Sequence, residues 1–171
     1  MIATATTFGD TGGMNTPVKL DRLHNSVWRL FLTAHVKVLA RIEAELAQAQ
    51  LPPLEWYDVL LTLKEAPNHR LRLSELADHV LLSRSNLTRL VDRLEKAGLL
   101  HREPCPDDRR GTFAVLSQAG LAMQAAMWNV YAAGIATHFA DQLEESEVEV
   151  LQRVLQRLLA AIDQQTNAVS G

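Results

Sequence analysis

The sequence predicts a mainly α-helical fold with one two-stranded β-hairpin, on three observations. Apolar residues recur at steps of three and four through most of the chain, only 5% of residues are aromatic while Leu and Ala abound, and the period changes in a single stretch, "GLLHREPCPDDRRGTFAVLS". With 171 residues, 47% of them hydrophobic, the chain is long enough for one core with helical arms.

Residues 1–17, "MIATATTFGDTGGMNTP", lack a basic region and a continuous apolar run, so they read as a disordered tail rather than a secretory signal, with Met14 as a second candidate start. Residues 18–50 follow as a long amphipathic helix, its stripe formed by Leu20, Leu23, Val27, Leu30, Phe31, Ala34, Val38, Ile42 and Leu46. Pro52 and Pro53 close the connection, and "LEWYDVLLTLKEAP" gives a second helix ended by Pro67 and the polar turn "PNHR". A short third helix spans residues 74–80, with Ser74 as N-cap and Leu76, Ala77 and Val80 on one face. Ser83 then caps a fourth helix whose inner face is Leu87, Leu90, Val91 and Leu94, at i, i+3, i+4 and i+7, and Gly98 closes it.

Two extended runs, residues 99–103 and 112–116, flank a Pro- and Asp-rich tip and read as a hairpin. Ser117 caps a fifth, Ala-rich helix carrying Leu121, Ala125, Trp128, Ala132, Ile135 and Phe139. A sixth runs over residues 145–165, with acids in its first turn and Val148, Leu151, Val154, Leu155, Leu158, Leu159 and Ile162 on one side. Helix, turn, helix and hairpin in that order make a winged helix-turn-helix with a two-stranded β wing and long N- and C-terminal dimerisation helices. Its parts are an N-terminal dimerisation helix (18–50), a DNA-binding lobe (51–117) and C-terminal dimerisation helices (118–171).

The formal charge of -3 argues against a nucleic-acid binder until it is divided by segment. Residues 64–110 hold ten Lys and Arg against eight Asp and Glu, whereas residues 111–171 hold two against six, so the positive charge is local. With Leu87, Leu90, Val91 and Leu94 turned inward, the fourth helix leaves Arg84, Ser85, Asn86, Thr88, Arg89, Asp92 and Arg93 for solvent or DNA. Those types suit base edges and phosphates: Arg pairs with guanine, Asn with adenine, and Ser or Thr with either bases or phosphates. The candidate DNA residues are therefore Ser83, Arg84, Ser85, Asn86, Thr88, Arg89 and Arg93, with Arg109 and Arg110 on the hairpin tip aimed at the minor groove. Of Asp107 and Asp108, one is expected to pair with an Arg and hold the wing's shape.

"LRLSELADHVLLSRSNLTRLVDRLEKAGLLHREPCPDDRRGTFAVLSQAG", with its wing pattern of Asp, any residue, Arg, then five residues and Leu-Ser, resembles the MarR-type (multiple antibiotic resistance) winged-helix regulators. The resemblance covers roughly residues 54–120. It implies a homodimer with interlocked terminal helices and a DNA-binding lobe on each subunit, with a small-molecule pocket between the dimer helices and the lobe. Residues 83–93 then match the recognition helix, and Arg109 the wing-tip arginine. Ser117 stands for the family's common Thr, and Glu144 stands where a Ser or Thr usually caps the last helix.

Dimerisation also follows from length alone. At 1.5 Å per residue the first helix spans about 45 Å, too long for its stripe to be covered by so small a lobe. Leu20, Leu23, Val27, Leu151, Leu155, Leu158 and Ile162 are the candidate interface, and a two-fold dimer would read a pseudo-palindromic double-stranded operator. Trp28, Trp56 and Trp128 are core residues by the ordinary rule for large aromatics. Trp28 and Asp58 nonetheless fall on the two helices that wall the family's pocket, and "YDVLLTL" resembles its urate-responsive subgroup. Trp28, His35, Trp56 and Asp58 are thus the candidate ligand residues, for a small aromatic or lipophilic effector.

The expected function is a cytoplasmic, ligand-responsive transcriptional repressor. One cysteine, Cys105, excludes an internal disulfide and a four-Cys metal site. Family members that sense peroxide carry their thiol on the first helix near paired Tyr, and this first helix has no Tyr. His24 and His35 share a face without a Cys or Glu at ligand spacing, so neither a metal nor another cofactor is expected. A thiol- or metal-responsive regulator of the same fold, or a winged helix that binds protein, are the alternatives. No phosphate loop, nucleophile elbow, carboxylate pair or metal cluster suggests an enzyme, and no run of eighteen apolar residues suggests a membrane partner.

Overall fold

In the computed structural model, which describes residues 20–80, 84–106 and 108–169, Asp21 sets the start of the first helix. Its Oδ1 accepts from the backbone N–H of Leu23 and His24 at 2.9 and 3.0 Å, satisfying donors that a helix N-terminus leaves open. Helix α1 is therefore Arg22–Gln48, and Leu20, expected inside the helix, precedes it. Two compact units divide the chain, one ending at His35 and the other beginning at Val36. In the first, the large apolar side chains Leu23, Val27, Trp28, Leu30 and Phe31 are all exposed, and Trp28 stacks on Phe31 at 6.1 Å between centroids.

The second unit holds the core. The α1 terminus turns back through Gln50 at φ 57°, where the N–H of Leu51 reaches the carbonyl of Leu46 and that of Gln50 reaches Ala47, the Schellman arrangement. Helix α2 (Leu54–Glu65) starts with its first N–H donated to Glu43 Oε1 at 3.0 Å. A 3-10 turn at Pro67–His69, with Asn68 and His69 at positive φ, leads into strand β1 (Arg70–Arg72). The alternation "RLR" is a strand signal, but three residues are too few to stand out from the polar turn expected there. Helix α3 (Leu73–His79) begins one residue before the expected cap. Arg72 holds the N-cap position, its N–H donating to Glu75 Oε2 at 3.0 Å, and Ser74 lies within the first turn.

Helix α4 (Arg84–Lys96) buries the predicted face, with Leu87 3% exposed and Leu90, Val91 and Leu94 wholly enclosed. Its expected cap, Ser83, lies outside the described residues. The helix ends as its sequence predicts, on Gly98 at φ 73°, with the N–H of Leu99 bonded to Leu94 and that of Gly98 to Glu95. Strands β2 (Leu100–Cys105) and β3 (Asp108–Leu116) form the hairpin, and β1 joins the far side of β3, giving an antiparallel sheet of order β1-β3-β2. Pairing runs almost to the turn, with Cys105 opposite Asp108, so the tip is shorter than the sequence suggested. A bulge between Pro104 and Cys105 accommodates the proline on an edge strand.

Ser117 caps helix α5 (Gln118–His138) as expected, accepting from the Gly120 N–H at 3.0 Å and donating to the Gly98 carbonyl at 2.7 Å. A Cβ on Gly120 would lie 2.1 Å from the Leu99 carbonyl oxygen, so this close approach of α5 to the hairpin requires glycine. The face that α5 buries differs from the expected one. Gly120, Gln124, Met127 and Gly134 are buried, whereas Ala125, Trp128 and Phe139 are exposed, Trp128 by 46%. On so Ala-rich a helix the aromatics do not mark the inner side, because close packing on α1 and α2 selects small or adaptable residues: a Cβ on Gly134 would meet Ile42 Cγ1 at 2.8 Å. Helix α6 (Glu145–Val169) begins with the Glu144 N–H donated to Glu147 Oε2 at 2.9 Å, so an acid three residues on supplies the terminus with a partner. Along α6, Leu151, Val154 and Leu155 are half-buried, and Val148, Leu158, Leu159 and Ile162 are exposed.

Candidate nucleic-acid interface

Burial of Leu87, Leu90, Val91 and Leu94 fixes what α4 presents outward: Asn86, Thr88, Arg89, Asp92 and Arg93 are all exposed. The side chains of Ser83, Arg84 and Ser85 lie outside the described residues, as do Asp107 and the side chains of Arg109 and Arg110. Counting back from Leu116-Ser117, the spacing of the wing pattern puts its aspartate at Asp108 and its arginine at Arg110. Both arginines lie in β3, at its hairpin end.

Around this face several of the described charges are paired. Arg93 Nη2 donates to Glu55 Oε1, in the first turn of α2, at 2.7 Å. From β2, Arg102 reaches two acids of α4: its Nη2 donates to Asp92 Oδ1 at 2.6 Å, its Nη1 to Glu95 Oε2, and its backbone N–H to Glu95 Oε1 at 2.9 Å. Partial burial lowers the Arg102 pKa, but the carboxylates of Asp92 and Glu95 outweigh it and hold the guanidinium above its ordinary value. The strand is thereby fastened to α4. On the other side of the sheet Arg72 Nη1 donates to Asp108 Oδ2 at 3.2 Å, and Arg70 lies 3.9 Å from Glu103. Arg70 and Arg72 also stack over the Phe113 ring, at 4.7 and 5.7 Å from its centroid. Asp108 thus does pair with an arginine, Arg72 of β1. Gly111 sits where a Cβ would come within 2.8 Å of Cys105 Sγ, and Cys105 is itself buried.

Sequence reasoning missed Glu55, Arg72 and Arg102. Arg102 stands seven residues from Glu95 and ten from Asp92, and Glu55 is 38 residues from Arg93. No periodic pattern announces such pairs.

The candidate ligand residues fall in separate units. Trp28 and His35 belong to the first, both exposed, and Trp56 and Asp58 to the second. Trp56 Nε1 is buried without a hydrogen-bond partner among the described residues. Burial first, then the Glu43 carboxylate, pushes the Asp58 carboxyl above its ordinary value. Close by in sequence, Tyr57 packs on Trp128 and Tyr131, at 6.2 and 5.0 Å between centroids. His24 is paired with Asp21. Among the described residues no helix is long and apolar enough to cross a membrane.

Helices α3 and α4 followed by the β2–β3 hairpin define a winged helix-turn-helix. Residues 54–112, which span α2 through most of the wing, match the model of the MarR family. Among curated proteins it is similar to the HTH-type transcriptional regulator MhqR of Bacillus subtilis, 35% identical over 86 residues that cover 50% of this chain and 59% of MhqR. The chain spans less than two thirds of the length of the first curated relatives it matches. Among solved structures it is similar to two MarR family transcriptional regulators of Streptomyces coelicolor. AbsC has a TM-score of 0.77 at 29% identity, covering 85% of this chain and 98% of AbsC. Sco3205, solved in complex with DNA, has a TM-score of 0.79 at 28% identity, covering 86% of this chain and 92% of Sco3205. These relatives are transcriptional regulators rather than enzymes.

Proposed function

We propose that the chain is a dimeric, sequence-specific DNA-binding transcriptional regulator that represses until a small aromatic or lipophilic effector releases it. The observation that carries the DNA reading is the outward face of α4. Four fully or almost fully buried apolar residues pin the helix, leaving Asn86, Thr88 and Arg89 on the face opposite the core, flanked by a wing whose hairpin end carries Arg109 and Arg110. Arg89 forms no ion pair among the described residues. In this reading the first turns of α4 enter the major groove and the wing follows the backbone toward the minor groove.

Support for the dimer comes from apolar side chains exposed among the described residues: Leu20, Leu23 and Val27 in the first unit, and Leu158 on α6 in the second, each more than half exposed. The proposed interface also takes in Leu151, Leu155 and Ile162. Support for the effector comes from the unpartnered Trp56 Nε1 and the raised Asp58 carboxyl, groups that a polar aromatic compound can satisfy. We place the protein in the cytoplasm, with its operator.

Binding to a labelled duplex of the upstream region, with excess nonspecific DNA and a salt series, tests the reading. Specific binding that weakens steeply with salt and is released by salicylate-like compounds is the expected result. Retention of a protein partner with no affinity for duplex DNA overturns it.

A further inference from the structure

Glu55 lies on the wrong side of the charge pattern for a DNA-binding face. It lines one groove together with Asn86, Arg89, Asp92 and Arg93, so its carboxylate opens onto the same surface as the proposed base-reading residues. It stands in the first turn of α2, where an acidic side chain faces the positive end of the helix dipole. Its partner is Arg93 at 2.7 Å, with 37% of the Glu55 side chain and 52% of the Arg93 side chain open to solvent. Arg93 is one turn beyond Arg89, and on α4 it lies about 13 Å along the axis from Arg84, where a recognition helix meets phosphates rather than base edges.

We propose that Glu55 is a positioning residue that occupies Arg93 and so removes one cation from those the lobe offers to phosphates. The inference rests on the DNA-binding reading above. Charge balance carries it. Arg93 and Glu55 together present no net charge to a phosphate whether or not they part, since an Arg93 diverted to DNA strands the Glu55 carboxylate beside the backbone. Arg102 faces two carboxylates, Asp92 and Glu95, so of the described side chains that line the groove only Arg89 contributes a cation outside an ion pair. The lobe then binds every duplex less tightly than its arginines alone would give, and discrimination falls more heavily on Asn86, Thr88 and Arg89.

A cycle of Glu55→Gln, Arg93→Met and the double variant in the full chain tests this, each titrated against the upstream duplex and a scrambled duplex over a salt series. Glu55→Gln frees Arg93, so it is expected to tighten binding to both duplexes about five- to tenfold near 0.1 M salt and to steepen the log–log salt slope by about 0.9, the increment for one further neutralised phosphate. Arg93→Met alone removes no phosphate contact and is expected to change the slope by less than half that increment, while the stranded Glu55 carboxylate weakens binding to both duplexes; the double variant is expected to return to the unmodified slope. Because both side chains are exposed, thermal unfolding should show all three variants folded.

Two results overturn the inference while leaving DNA binding intact: an unchanged slope in Glu55→Gln, or a slope that falls by a full increment in Arg93→Met. Absence of any salt-dependent DNA binding by the unmodified protein overturns the functional reading itself, and this inference with it.

Discussion

Helices α4 and α6 carry nearly the same apolar rhythm and meet opposite fates. On α4 the residues at i, i+3, i+4 and i+7 are all buried to 3% exposure or less, closed in by α3, α2 and the sheet. On α6 the equivalent run ends with Leu158, Leu159 and Ile162 at 53%, 62% and 57% exposure. Periodicity states which face of a helix is apolar; it does not state what covers that face. In the lobe the chain itself supplies the cover, and on α6 the proposed second copy does.

Replacing one leucine on each helix gives the largest and clearest test of that difference. Leu94→Ala leaves a cavity in an enclosed core and is expected to cost about 2–5 kcal/mol in denaturant unfolding, independent of protein concentration. The chemically identical Leu159→Ala should cost the isolated chain less than about 0.5 kcal/mol, as surface substitutions do. Any further destabilisation should appear only in the assembled form and vanish on dilution, which sedimentation at two concentrations would show. A large, concentration-independent effect of Leu159→Ala would mean that α6 is covered within one chain.

Next in size is Gly120→Ala, where the added methyl must displace the Leu99 carbonyl at the junction of α4, the wing and α5. Stability should fall by about 1–3 kcal/mol, read by thermal unfolding. The smallest effect is electrostatic and lies at Asp58. Burial and Glu43 raise its folded-state pKa above the ordinary 3.8, so the folded chain holds a proton that the unfolded chain has released. Stability from this group is present at low pH and is lost as pH rises above 3.8 through the raised value. Asp58→Asn should therefore raise the melting temperature at pH 7, with the gain shrinking as pH approaches 4. A gain that grows on acidification would reverse the assigned sign.

What was legible in the sequence follows the same physics. The α4 face, its end at Gly98 and the Ser117 cap depend on residues within one or two turns of each other, and all three were readable. Strand β1 escaped because three alternating residues give too short a pattern, and the α5 face because its packing selects Gly120, Gln124 and Gly134 rather than large apolar side chains. Buried Gln124 is held by Lys64 Nζ at 2.8 Å, across 60 residues of sequence. The pairs that fasten the wing and Arg93 likewise join separate elements, so the residue types of the α4 face were legible and its charge balance was not.

The central claim is that the outward face of α4 reads bases while the wing holds the backbone, and paired titrations of Arg89→Ala and an Arg109→Ala/Arg110→Ala variant test it most directly. Arg89→Ala should weaken binding by about 1–3 kcal/mol on the upstream duplex and by far less on a scrambled one, because a base-edge hydrogen bond discriminates. The wing variant should weaken both alike and flatten the salt slope by about 0.9 for each phosphate left without its arginine. Equal weakening on every sequence in both proteins would contradict the division of roles and leave α4 a charged surface without a reading function.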